Sequence, residues 1–255
     1  MLIQRETAVV HVVLDDDPGN EIGPEMLAAL EGVVGEVEDD PSIRALVFSS
    51  TARLGFGTGA DLPALAEALG DDSLTDVVTR AGRLFERLES LPVLTVGALR
   101  GVTFGGAFEW ALCLDVLVAE AGTRFALPEL RLGLIPGFGG YRRLCRRGGE
   151  SLARELLLTG RTVGTRRALE RGLLTAVVPR GEGVSCALGF ADAAAGITRE
   201  AMRAAKILAA APPVDRAATE AAVLHERLAA ADTRDRLTET LNRNDPWKHL
   251  PPSHA

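Results

Sequence analysis

The sequence predicts an α/β fold with crossover connections, followed by a helical C-terminal third. Short β-branched apolar runs at residues 8–14 (AVVHVVL), 45–50 (ALVFSS) and 93–98 (VLTVGA) read as buried strands. Segments with apolar residues at helical spacing separate them, which is the pattern of strands joined by crossovers. From Ala187 onward the chain is alanine-rich and helical, broken at Pro212-Pro213. The reading divides the chain into an α/β core, 1–195, and a helical region, 196–255, that packs on the core or on a neighbouring subunit. No internal repeat or low-complexity linker is visible.

In chain order, the first strand ends in a turn at 15–20 (DDDPGN), rich in turn formers. A helix follows over 24–37, where Met26, Leu27, Leu30, Val33, Val34 and Val37 recur at helical spacing and Pro24 suits the first turn. The second strand leads into a glycine loop, 55–61 (GFGTGAD), and then a helix for which Asp61 makes an N-cap and Pro63 a first-turn residue. A helix over 73–91 stops at Pro92, and the third strand leads to a second glycine loop at 101–106 and a helix reaching about Leu114. A short fourth strand at 116–119, helices at 141–147, 151–158 and 166–171, and a last strand-like run at 173–178 complete the core. The tail PWKHLPPSHA shows no periodicity.

Composition narrows the function. With 47% hydrophobic and 25% charged residues the chain reads as globular rather than disordered or membranous. A formal net charge of −7 argues against nucleic-acid binding, which needs clustered excess Lys and Arg. No stretch has the length of a transmembrane span, and the N-terminus MLIQRETAVV lacks a charged segment followed by an apolar core, so no membrane partner and a cytoplasmic location are expected. Cys113, Cys145 and Cys186 are widely spaced, without metal-type pairing, and read as inert thiols. The four histidines are scattered, and neither a serine-hydrolase elbow nor a zincin motif occurs. The arginine run Arg142, Arg143, Arg146 and Arg147 reads as a solvated helix face, with a phosphate-bearing substrate as the functional alternative.

The chemistry concentrates between Leu99 and Gly140. Glu109 and Glu129 each sit in an apolar segment beside glycine-rich backbone. A carboxylate buried among apolar residues is destabilising unless it is paired or protonated, so two of them beside free amides suggest acid–base chemistry next to an oxyanion hole. Gly105-Gly106 precede a helix, where amides lack partners, and Glu109 follows Gly106 by three residues on the same face. Glu109 could instead complement the helix dipole, although Phe108 and Trp110 argue against a solvated cap. Glu129 follows Pro128, which stiffens the segment; the plain alternative is a surface turn. Gly55, Gly57 and Ala60 formally match a dinucleotide loop, but follow the second strand rather than the first. Phe104, Phe108, Trp110 and Phe138 fit an apolar acyl pocket or core packing equally.

These motifs together resemble the enoyl-CoA hydratase/isomerase family, the crotonase superfamily, over residues 8–178. Residues 14–30 resemble its strand–turn–Asn–helix opening, with Asn20 at the recurrent asparagine, and 56–62 (FGTGADL) its F-x-x-G-A-D loop. Residues 101–115 resemble its G-x-x-x-G-G-G-x-E segment and 125–140 its P-E-x-x-x-G-x-x-P-x-x-G-G segment. The resemblance implies a core of repeated ββα units, assembly as a homotrimer or homohexamer, and acyl thioesters of coenzyme A as substrates. It puts the Ala60 and Gly106 amides at an oxyanion hole, Glu109 and Glu129 at the two catalytic glutamates, and Gly59, Asp61, Leu62, Gly105 and Phe138 against substrate. No metal is expected, and no cofactor beyond the coenzyme A that the substrate carries.

Retention of both glutamates favours hydration of an enoyl thioester; an isomerase or other enolate-forming member, and a non-catalytic acyl-CoA or partner binder, remain as alternatives. Ala107 replaces the family's third glycine, and Arg100 its usual asparagine or histidine. The lysines common near coenzyme A phosphates are replaced by DDDPG at 15–19 and by Pro63-Ala64. Solvated aspartates close to a polyphosphate would each repel it by up to about 1 kcal/mol. The carrier is then coenzyme A held by the arginines or by Lys248 of a neighbouring copy, or another pantetheine carrier.

Overall fold

The computed structural model describes residues 1–70, 74–212 and 214–241. Ser73 and Pro213, and the tail from Asn242 that includes Lys248, lie outside the described residues. The chain forms two compact units, Met1–Ala195 and a second beginning at Gly196.

The first unit is built on a six-stranded sheet in the order β1 (Leu2–Glu6), β2 (Val9–Leu14), β3 (Ala45–Ser50), β5 (Leu94–Leu99), β7 (Val116–Glu120) and β10 (Ala176–Val178). β1 pairs antiparallel with β2, and the other pairs are parallel. β2 and β3 are buried at every position, because helices or a second layer cover both faces of the sheet. Val10, Val12, Leu14, Leu46 and Phe48 face the main core. Val9, Ala45, Val47, Val96 and Ala98 pack instead with Ala187 and Ala191 of α8 (Gly183–Ala194). This two-sided burial is what makes these strands continuous apolar runs. His11 is a core histidine, its Nε2 2.8 Å from Ser49 Oγ.

A second, four-stranded sheet contains β4 (Gly55–Gly57), β6 (Val102–Phe104), β8 (Arg124–Ala126) and β9 (Val163–Gly164), with β4, β6 and β8 parallel. Each of β3, β5 and β7 runs directly into a strand of this second sheet and then into a helix, so the unit is a succession of ββα repeats. The helices are α1 (Pro24–Asp39), α2 (Leu62–Gly70), α3 (Leu74–Ser90) and α4 (Gly105–Ala111), then α5 (Gly140–Gly148), α6 (Glu150–Thr159) and α7 (Thr165–Glu170). A short 3-10 helix, Glu129–Leu132, takes the helix position after β8.

The sequence reading needs several corrections. β4 and β6 are strands of three residues where glycine loops were expected, and β1, β8 and β9 were not anticipated at all. Strands this short carry no readable alternation. Gly55 and Gly101 sit where two such corners meet: a Cβ at Gly55 would lie 2.3 Å from the Val102 nitrogen, and one at Gly101 2.3 Å from the Leu54 oxygen. The helix expected to reach Leu114 ends at Ala111, where i→i+3 bonds from Cys113 and Leu114 tighten the chain and turn it into β7. The last strand is shorter than 173–178, and α8 starts ahead of Ala187.

The opening turn is fixed by Asn20, which is 1% exposed with a positive φ of 48°. Its Oδ1 accepts from the Asp16 amide at 2.9 Å, and its Nδ2 donates to Ser50 Oγ at 2.8 Å and Phe56 O at 3.0 Å. Asn20→Ala removes both halves of this network and leaves buried polar groups unpaired. Urea denaturation should show a loss of about 2 kcal/mol, with an unchanged m-value.

The second unit contains α9 (Arg199–Ala210), α10 (Arg216–Ala229) and α11 (Ala231–Leu241). Thr198 caps α9, its Oγ1 accepting from the Ala201 amide at 3.2 Å. No residue of α9 or α10 is buried. Among the described residues no helix is long and apolar enough to cross a membrane.

Candidate active site

The parallel strands β4, β6 and β8 end side by side, and each hands the chain to a loop or directly to a helix at the same edge of the sheet. Residues at equivalent places in three successive repeats therefore converge: Gly59-Ala60 after β4, Gly105-Gly106 after β6 and Pro128-Glu129 after β8. All six line one cavity of about 410 Å³, together with Glu109, Leu62, Leu65, Val78, Ile135 and Phe138. Ligands commonly bind at the carboxyl ends of parallel strands, and this cavity follows that rule on the smaller sheet.

The closeness of the loops is measurable at the glycines. A Cβ on Gly59 (φ +115°) would lie 3.5 Å from the Gly106 nitrogen, and one on Gly105 (φ +51°) 3.2 Å from Glu129 Oε1. Gly106 stands in the first turn of α4, where a peptide N–H has no intrahelical acceptor. Ala60 is bridged to Ile22: the Ile22 N–H donates to Gly59 O at 2.8 Å and the Asp61 N–H to Ile22 O at 3.1 Å. Peptide groups alternate along an extended chain, so the Ala60 N–H points away from Ile22.

The two glutamates occupy different environments. Glu109, 2% exposed, is held through one oxygen: Oε1 accepts from the Phe138 amide at 2.9 Å and the Gly140 amide at 2.8 Å. Burial pushes its carboxyl above the ordinary value, while those amides and the Arg143 charge pull it back. Both oxygens of Glu129 are buried and accept no hydrogen bond from any other described residue. Burial pushes its carboxyl up to about 7, and the Glu109 charge adds to the effect. The site therefore pairs a carboxyl supported by two amides and a cation with one kept protonated toward neutral pH by burial.

Of the residues expected at the site, Gly59, Ala60, Leu62, Gly105, Gly106, Glu109, Glu129 and Phe138 meet at this cavity. Asp61 does not. It caps α2, its Oδ1 accepting from the Ala64 amide at 3.1 Å, and lines a smaller adjoining cavity that shares Ala60, Leu65, Val78 and Phe138 with the first. Of the four aromatic residues, only Phe138 lines the site. Phe108 and Trp110 are core residues, Trp110 lying against Phe48, Phe56 and Phe85 at 5.0–6.4 Å between ring centroids.

The arginine run is a solvated face only in part: Arg142 and Arg146 are exposed, whereas Arg143 turns inward. Arg143, 1% exposed, donates from Nε to Glu89 Oε2 at 2.8 Å and from Nη1 to Phe138 O at 2.5 Å. Arg146 and Arg142 also pair with Glu89, and Arg147 donates to Leu114 O. Sequence reasoning missed this cluster and the amides that hold Glu109. The glycine pair Gly139-Gly140 was the available signal, since Gly139 takes a φ of +84° and a Cβ on Gly140 would strike Glu109.

An α/β core of ββα repeats with two buried carboxyls over an amide-lined cavity defines an enzyme of the crotonase type. The chain belongs to the enoyl-CoA hydratase/isomerase family, whose sequence model matches residues 4–245. It is 31% identical over 208 residues to a protein named probable enoyl-CoA hydratase from Mycobacterium bovis, covering 81% of this chain and 79% of that one. It is 33% identical over 207 residues to the 2,3-dehydroadipyl-CoA hydratase of Escherichia coli, covering 81% and 80%. The solved structure of DspI from Pseudomonas aeruginosa superposes with a TM-score of 0.86 at 28% identity, covering 96% of this chain and 95% of that one.

Proposed function

We propose that the protein is an enoyl-CoA hydratase, adding water across the 2,3-double bond of an enoyl thioester. The observation that carries this reading is the asymmetry of the two carboxyls on one cavity: Glu129 unpaired and raised to about 7, Glu109 held by two amides. Relatives named as hydratases of coenzyme A thioesters support the substrate class.

In this mechanism the thioester carbonyl oxygen sits between the Ala60 and Gly106 N–H groups. Ionised Glu109 takes a proton from water as the water oxygen bonds to C3. The π electrons move through C2 to the carbonyl oxygen, where the two amides stabilise the enolate. Protonated Glu129 then gives its proton to C2 and the enolate collapses to the 3-hydroxyacyl thioester. Delivery of both groups from one cavity wall makes the addition syn. The enzyme finishes with the proton on Glu109 rather than Glu129, and exchange with solvent restores the starting state. Leu62, Leu65, Val78 and Ile135 offer the acyl chain an apolar wall.

A short 2-enoyl-CoA tests the reaction directly: the conjugated absorbance should fall and a 3-hydroxyacyl product appear. A product with its double bond moved rather than hydrated would instead support an isomerase. The pH dependence of kcat/KM should be bell-shaped. Its descending limb should lie near pH 7, where Glu129 loses the proton it must donate. A profile flat from pH 6 to 8 would remove Glu129 from the acid role.

A further inference from the structure

The buried Arg143 takes no direct part in that chemistry, yet it stands behind the turn that holds Glu109. The chain of contacts is continuous. Glu89, at the C-terminal end of α3, accepts from Arg143 Nε at 2.8 Å; Arg143 Nη1 donates to Phe138 O at 2.5 Å; and the Phe138 N–H donates to Glu109 Oε1 at 2.9 Å. Gly140, two residues on, supplies the second amide at 2.8 Å. The Phe138–Gly140 turn is thus gripped by a carboxylate on one side and a guanidinium on the other. From these contacts we infer that Arg143 is a positioning residue: with Glu89 it fixes the amide cradle of Glu109 and sets which of the two active-site carboxyls carries the negative charge.

Two physical features support this assignment. A guanidinium is a planar fork, so Arg143 reaches Glu89 and the Phe138 carbonyl along different edges, which an ammonium on a flexible stem does not reproduce. The cluster is also unbalanced, since Arg142, Arg143 and Arg146 share the single carboxylate of Glu89. The Arg143 charge is felt at Glu109, whereas the causes that set Glu129 are burial, its own peptide N–H and the Glu109 charge, with no cation among them. The charged and titratable groups around Glu109 and Arg143 are Glu129 from the 3-10 helix, Glu89 from α3, Cys113 after α4, and Arg142, Arg146 and Arg147 on α5. Burial pushes the Cys113 thiol up to about 12, so it stays neutral through the working range.

The kinetic part of the test rests on the hydratase reading; the titration part does not. Holding full-length protein without substrate, 13C NMR of labelled glutamate, with Glu109 assigned by its loss in Glu109→Gln, follows the Glu109 carboxyl directly. In Arg143→Met the titration should move to higher pH, because a positive neighbour is gone. In Glu89→Gln it should move to lower pH, because the arginines are no longer neutralised. In Arg143→Lys it should stay near wild type. With an enoyl thioester, Arg143→Met should lower kcat about a hundredfold with KM changed only a few-fold, as expected when a reacting group is displaced by a fraction of an ångström to one ångström. Arg143→Lys should recover part of that loss. A purely structural arginine would lower thermal stability without moving the Glu109 titration in opposite directions in the two charge variants. That outcome, or wild-type kcat in Arg143→Met, overturns the assignment. Should Arg143→Met fail to fold, the Glu89→Gln titration decides by itself. Absence of turnover with every enoyl thioester, alongside opposed shifts, would overturn the hydratase reading and leave the positioning role standing.

Discussion

Glu129→Gln should lower kcat for hydration by about a thousandfold while leaving KM within a few-fold, because an amide fills the same space but has no acidic proton to give C2. The same substitution should stabilise the protein above neutral pH. In the folded state burial holds the Glu129 carboxyl at about 7, well above the ordinary 4.5 of an unfolded chain. Between those two values the native state binds the extra proton, so the contribution of this group to stability falls as pH rises through the window, and stays low above it. Ionised Glu129 is then a buried charge with no hydrogen-bond donor from any other described residue. Thermal melts of wild type and Glu129→Gln should coincide near pH 4 and separate by pH 8, with the variant melting higher. A variant that loses both activity and stability at pH 8 would mean that Glu129 is a structural carboxylate.

Gly140→Ala should be nearly as damaging by a steric route. An added Cβ would stand 2.3 Å from Glu109 Cγ and 2.8 Å from its Oε1. Glu109 is buried in α4 between packed neighbours, so its side chain has nowhere to go without leaving the two amides that hold it. We expect kcat to fall about a hundredfold and stability by about 1–3 kcal/mol. Gly35→Ala in α1 is the matched control: nothing lies within 4 Å of its Cβ position, and kcat should be unchanged. Equal kcat values for the two variants would show that the Gly140 turn does not set the Glu109 geometry.

Together the two variants separate what the carboxyls do from how they are held. In the proposed mechanism Glu129 serves as acid because burial keeps it protonated, and Glu109 as base because two amides and a cation stand behind it. A carboxyl without a partner destabilises a protein, and its presence at a cavity wall is the kind of local inconsistency that marks a functional site.

Long apolar strands and amphipathic helices were legible because period and composition report burial within one segment. β2, β3 and α1 fall where the alternation of apolar runs and helical spacing puts them. The glycine loops and both glutamates were also visible, as residues chemically out of place in apolar surroundings. The sequence alone thus determined an α/β core of the enoyl-CoA hydratase/isomerase family and the two carboxyls around which a site could form. Only the tertiary structure decided that β4, β6 and β8 lie side by side, because strands of three residues have no periodicity and their pairing is entirely non-local. It used the Asp61 side chain as a helix cap, and drew one arginine of an apparent surface run, Arg143, into a buried pair with Glu89. The different settings of Glu109 and Glu129 were likewise beyond the sequence. A carboxyl's proton affinity depends on which amides and charges reach it through space: at Glu109 these are the Phe138 and Gly140 amides and the Arg143 cation, and at Glu129 burial and the Glu109 charge outweigh its own peptide N–H.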